Sequence, residues 1–85
     1  MTIKRMVRFE GEGSLKAFFD VEHEGFLIKG LRVVQGAKKL FITMPRTLGK
    51  DGKWYDDVVV MTPSVGKQLE QRALAMYQEE AYQPV

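Results

Sequence analysis

The stretch Leu40-Phe41-Ile42-Thr43-Met44-Pro45, followed by Gly52-Lys53-Trp54-Tyr55-Asp56-Asp57, decides the reading of this chain. An apolar strand halted by proline, a polar turn ending in Asp51-Gly52 and a second strand opening on an aromatic together spell a β-hairpin. Asp-Gly reaches positive backbone dihedrals at little cost, and Pro45 has no amide hydrogen for a ladder, so the first strand must end beside it.

Working outward, the flanks read as strands first and a helix last. Ile3 to Phe9 alternates roughly, with Ile3, Val7 and Phe9 on one side and Lys4 and Arg8 on the other. Glu10 to Ser14 is a turn by composition. Leu15 to Val21 alternates cleanly, Leu15, Ala17, Phe19 and Val21 facing away from Lys16, Phe18 and Asp20. After a turn at His23-Glu24-Gly25, Phe26 to Val34 is apolar on both sides: Phe26, Ile28 and Val34 oppose Leu27, Leu31 and Val33. Leu40, Ile42 and Met44 oppose Phe41, and the strand from Trp54 ends in Val58-Val59-Val60-Met61. The short connections predict an antiparallel meander of about five strands within residues 3–61. Thr62 or Ser64 caps a helix over about 63–81, whose apolar stripe is Val65, Leu69, Ala73, Met76 and Tyr77, and Pro84 discourages its continuation. The fold class is α+β, a single domain over residues 1–85.

One helix covers one face of a sheet, and the third and fourth strands are apolar on both. The valine run would also leave a hazardous bare edge. Both mismatches point to a homodimer, two-fold symmetry being the commonest closed form. With 85 residues, a monomer buries only about 60–65% of its unfolded surface. No cysteine is present to reinforce so small a core, which fits a reducing, cytoplasmic setting. No apolar run approaches the roughly 20 residues that span a bilayer, so no membrane partner is expected.

The charge excludes little. Thirteen basic and eleven acidic residues leave +2, well short of a typical non-specific duplex binder. The cations are nevertheless clustered: Lys4, Arg5 and Arg8 at the start, Arg46, Lys50 and Lys53 in the hairpin. Catalysis finds few groups. Asp56 and Asp57 are adjacent and point to opposite faces of a strand, so they cannot work as a carboxylate pair. His23, the only histidine, reads as a solvated turn residue with no His or Cys to complete a metal site. Asp20 and Glu22 read as a solvated stripe, Ser64 as a cap, and Trp54 as a packed aromatic. No enzyme, cofactor or metal is expected.

In order and spacing these pieces resemble the SpoVG family, the stage V sporulation protein G or septation regulators, from about Ile3 to Tyr77. The likeness rests on the hairpin, His23-Glu24 ahead of Phe26, Arg32 within Leu31-Arg32-Val33-Val34, and Gly66-Lys67 opening the helix. Gly25 looks inserted, and Val65 stands where an arginine often precedes Gly66-Lys67. The resemblance implies a dimeric cytoplasmic regulator of septation and sporulation, without enzymatic activity, that binds DNA or RNA. Cell-division or transcription proteins are its implied protein partners. The residues that would carry nucleic-acid binding are Lys67, Gln68, Gln71 and Arg72 on the helix and Arg46, Lys50 and Lys53 on the hairpin. The bland reading of the same residues is a solvated helix face. A protein-interaction module without nucleic-acid binding is the alternative.

Overall fold

Four strands follow one another in chain order across one antiparallel sheet: β1 (Thr2–Arg8), β2 (Leu15–His23), β3 (Phe26–Gln35) and β4 (Leu40–Thr43). A separate two-stranded ribbon, β5 (Arg46–Leu48) with β6 (Trp54–Asp56), comes next, and α1 (Pro63–Tyr82) closes the order. The structure, a computed structural model, describes residues 1–82, so Pro84 lies outside the described residues. The α+β architecture, antiparallel strands followed by one helix, is the expected one.

Two details of the strands differ from expectation. The hairpin's first arm is Arg46–Leu48, after Pro45, while β4 pairs with β3 alone. Pro45 therefore divides two strands instead of ending one, and its carbonyl accepts the Asp57 amide at 2.7 Å to close the ribbon's base. The turn itself forms where Asp51-Gly52 predicts: Gly52 has φ +81, and Gly49 donates to the Lys53 carbonyl at 2.7 Å. Beyond β6 the chain leaves the ladder at Asp57, so Val58 to Met61 is an irregular connector and not a strand edge.

Bulges reset the faces. The register shifts between Ile3 and Arg5, so Lys4 is an extra residue and Ile3 and Met6, not Val7 and Phe9, turn toward the core. A second shift lies opposite Asp20, where Phe19 pairs Leu31 but Val21 pairs Ile28. Gly30 takes φ +84 there, and its amide donates to Asp20 Oδ1 at 3.2 Å. That extra residue puts Ile28, Leu31 and Val33 on one face together, where plain alternation had separated Ile28 from the other two.

The core lies between this face and α1. It consists of Ala17, Phe19 and Val21 from β2, Leu31 and Val33 from β3, and Leu69 and Ala73 from the helix. Each fully buried Val, Leu or Phe contributes about 1.5–3 kcal/mol by leaving water. Leu74 and Tyr77 pack at the margin, and the Arg8 guanidinium lies 4.9 Å from the Tyr77 ring centre. Thr62 is the residue that starts the helix: its carbonyl accepts the Val65 and Gly66 amides, and Pro63 occupies the first helical position. The opposite face of the sheet has no cover among the described residues and leaves Val7 and Phe9 exposed.

Candidate nucleic-acid interface

On α1, Lys67, Gln68 and Gln71 recur at helical spacing after Ser64 and line one shallow depression with Val65. All three reach solvent. Lys67 is the fifth residue of α1, one turn in from its N-terminus, at the end of the helix where the dipole gives a cation no stabilisation, and the first turn holds no acidic residue. Arg72 is turned aside. Its Nη1 donates to the Met1 carbonyl at 2.7 Å, which ties the N-terminus to the helix and takes this guanidinium away from its three neighbours.

The ribbon is arranged by its carboxylates. Arg46 Nε meets Asp56 Oδ1 at 2.8 Å, so its charge is already matched. Asp57 accepts the Thr47 hydroxyl at 2.8 Å. The adjacent aspartates thus serve different partners, Asp56 from the end of β6 and Asp57 from just beyond it. Lys50 and Lys53 are exposed and in no ion pair among the described residues. Trp54 is not packed as expected: it stands 58% exposed opposite an equally open Leu48, because the ribbon projects from the body and offers no core to enter.

Asp51 locks the turn. Its carboxylate accepts the Tyr55 hydroxyl at 2.5 Å and the Lys53 amide at 3.0 Å. The Tyr55 hydroxyl first, then the amide, hold the Asp51 carboxyl below its ordinary 3.8, and the carboxylate pushes the Tyr55 phenol above its ordinary 10.0. The depressed acid contributes above its unfolded value and is lost as pH falls through its folded one. The raised phenol contributes below its unfolded value and is lost as pH rises through its folded one. The hydrogen bond is therefore complete between 3.8 and 10.0. In Tyr55→Phe, Asp51 is expected to titrate higher, back toward its ordinary value, in an NMR pH titration of the side-chain carboxyl. An unmoved Asp51 midpoint would show that the hydroxyl is not its partner.

The remaining polar residues are accounted for differently from the sequence reading. Asp20 supports the Gly30 bulge, and Glu22 pairs with Lys4 at 3.2 Å, so neither is simply solvated. His23 ends β2 opposite Phe26 instead of sitting free in a turn. It lines an apolar cavity with Ile28, Met44, Val58 and Leu69, and its Nδ1 is buried without a hydrogen-bond partner. Among the described residues no three His, Asp or Glu side chains come together as a metal site would require. Among the described residues no helix is long and apolar enough to cross a membrane.

Helix and ribbon thus bring Lys67, Gln68 and Gln71 together on one surface and Lys50 and Lys53 on another, while Arg46 and Arg72 are held by protein partners. The two-sided apolar strands already pointed to a sheet face that one helix cannot cover; what alternation missed is that the Lys4 bulge brings Phe9 to that face, where it meets Phe18 beside Arg32.

Comparison with known proteins gives a consistent result. A family model described as SpoVG matches residues 1–79. The "Putative septation protein SpoVG" of Symbiobacterium thermophilum is 36% identical over 78 residues, covering 91% of this chain and 56% of that protein. The protein of the same name from Archaeoglobus fulgidus is 33% identical over 81 residues, covering 94% of this chain and 95% of its own. That of Staphylococcus aureus strain JH9 is 26% identical over 80 residues, 93% of this chain and 80% of the relative. The chain accordingly spans just over half of the first of these relatives and nearly all of the second. By the extent of the family match and by these relatives, the chain belongs to the SpoVG family.

Proposed function

We propose that this protein is a non-enzymatic cytoplasmic regulator linked to septation that binds DNA or RNA as a dimer. The contact surface is the α1 face of Lys67, Gln68 and Gln71, assisted by Lys50 and Lys53 on the ribbon. The observation that carries the reading is Lys67 itself. It is an exposed cation near the N-terminal end of the helix, where the dipole gives it no stabilisation, with no ion-pair partner among the described residues and two glutamines beside it. Lysines meet phosphates and set affinity, whereas glutamine amides are suited to base edges. Arg72 and Arg46 contribute less, since each would first have to leave its present partner.

Salt dependence tests this directly. Removing one cation that neutralises a phosphate lowers the slope of log affinity against log salt by roughly one. The Lys50→Ala, Lys53→Ala, Lys67→Ala variant is expected to bind more weakly, with a slope shallower by about three for each protomer in contact. Gln71→Ala should blur sequence preference and leave the slope alone. Wild-type affinity and slope in the triple variant, on DNA and RNA alike, would remove this surface from consideration.

Dimerisation is assigned to the end of the molecule where the β2–β3 turn meets the connector. His23 and Ile28 share a cavity there with Val58 to Met61, and Phe26, Leu27, Val59 and Met61 are all more than half exposed. Apolar surface of that kind marks an interaction site more often than a bare exterior. The same patch, with Leu48 and Trp54 on the ribbon, favours the second reading, an interaction module for cell-division or transcription proteins.

A further inference from the structure

The sheet face turned away from α1 is built as a platform. Val7, Phe18, Arg32 and Thr43 stand side by side in one row across all four strands. The Phe9 ring meets Phe18 edge-on at 5.1 Å and 80°, and the Arg32 guanidinium lies 5.3 Å from the Phe18 centre. In the adjoining row Val34 pairs Phe41, whose ring passes so close to Gly36 that a Cβ there would sit 2.9 Å from it. Phe9 keeps 42% of its surface open.

Charge indicates what covers this face. Arg5 and Arg32 are in no ion pair among the described residues. The carboxylates on this face are Asp20, which stands across from Arg5 and accepts the Gly30 amide, and Glu22, paired with Lys4, so the cations Lys4, Arg5 and Arg32 outnumber them by one. A second copy laid face to face would double that unmatched positive charge in a desolvated interface, at several kcal/mol per ion. A polyanion supplies what both kinds of residue lack: phosphates for the guanidinium groups and flat rings for the phenylalanines. Bases stack on protein aromatics only when unpaired, because a duplex hides their faces.

We infer that this open sheet face binds single-stranded nucleic acid, stacking bases on Phe9 and Phe41 while Arg5 and Arg32 meet the phosphates. The inference rests on the nucleic-acid reading above for its class of ligand but uses a different surface, so either can fail without the other.

Fluorescence anisotropy on the full chain tests it, with labelled oligo(dT), oligo(U) and a mixed-sequence duplex as probes. Phe9→Ala is expected to weaken single-strand binding roughly 5- to 150-fold, the range for one base that no longer stacks, and to spare the duplex. The exposure of Phe9 keeps the fold intact in this variant, which circular dichroism checks. Phe9→Trp should restore binding, whereas Phe9→Leu, apolar but without a flat ring, should not. Arg32→Gln should lower the single-strand salt slope by roughly 0.7. Binding of either oligo(dT) or oligo(U) with this pattern supports the inference and tells which sugar is preferred. Wild-type single-strand affinity in both Phe9→Ala and Arg32→Gln overturns it, as does absence of single-strand binding in the unmodified protein. If either variant instead converts a dimer to a monomer in light scattering, the face belongs to a second copy and the inference falls. Loss of duplex binding in Lys67→Ala with intact sheet variants would leave the helix reading standing and remove this one. The reverse pattern would do the opposite.

Discussion

Leu31→Ala is expected to destabilise the monomer by about 2–5 kcal/mol, while Leu27→Ala changes the monomer's stability by no more than about 0.5 kcal/mol, both measured at concentrations below dimerisation. The two leucines lie four positions apart on β3, and simple alternation places them on the same face. The bulge at Gly30 separates them: Leu31 is fully buried against Phe19, and Leu27 is 51% exposed. Removing the Leu31 side chain forfeits its transfer free energy and leaves a cavity in a core of seven residues with little freedom to collapse. A domain of this size has only about 5–15 kcal/mol in total, so Leu31→Ala leaves a visible unfolded fraction at modest urea. Urea denaturation followed by far-ultraviolet circular dichroism is the suitable measurement. Tryptophan fluorescence would be a poor probe, since Trp54 stands in solvent on the ribbon. Equal destabilisation by the two substitutions would mean that no bulge resets the face.

The same bulge explains which parts of the fold were legible. The helix was, because Leu69, Ala73 and Tyr77 repeat at its period and Thr62-Pro63 marks its start. So was β2, whose Ala17, Phe19 and Val21 alternate through its middle and are all buried. A strand's faces are legible only as long as the period of two holds, and one inserted residue inverts everything beyond it. Lys4 in β1 and Gly30 in β3 each do this: alternation groups Val7 and Phe9 with Ile3, yet they lie on the open face while Ile3 packs on the core, and it separates Ile28 from Leu31 and Val33, which share the core face. Pro45 misled for another reason. A residue without an amide hydrogen ends a ladder, but its carbonyl can still anchor the next one, as it does through Asp57.

The candidate site was legible by composition and only partly by geometry. Lys67, Gln68 and Gln71 share a helix face because spacing alone determines that. Arg72 and Arg46 could not be judged from spacing, since their partners, the Met1 carbonyl and Asp56, are far along the chain or across a ribbon whose register was displaced. The connector Val58 to Met61 shows the same limit. Four apolar residues in a row look like a buried strand, yet the chain turns Val59 and Met61 outward because no neighbouring strand is placed to pair with them.

That outward turn makes the assembly prediction sharp. Val59 is 66% and Met61 87% exposed in the monomer, so a lysine at either position has room and water and should leave its folding stability within about 0.5 kcal/mol. In the proposed dimer the same lysine becomes a desolvated charge without a partner, which costs about 3–5 kcal/mol. Dissociation constants should then rise roughly 10²- to 10⁴-fold in Val59→Lys and in Met61→Lys, enough to shift micromolar protein from dimer to monomer. Val60 is the wrong place for the test, because it is only partly exposed, and a lysine there would disturb the fold as well. Light scattering coupled to size exclusion reads the result against a chain mass of 9.7 kDa. Dimeric variants would move the interface elsewhere on the molecule. An unmodified protein that runs as a monodisperse monomer at micromolar concentration would remove the dimer, and the helix face would then have to bind nucleic acid one copy at a time.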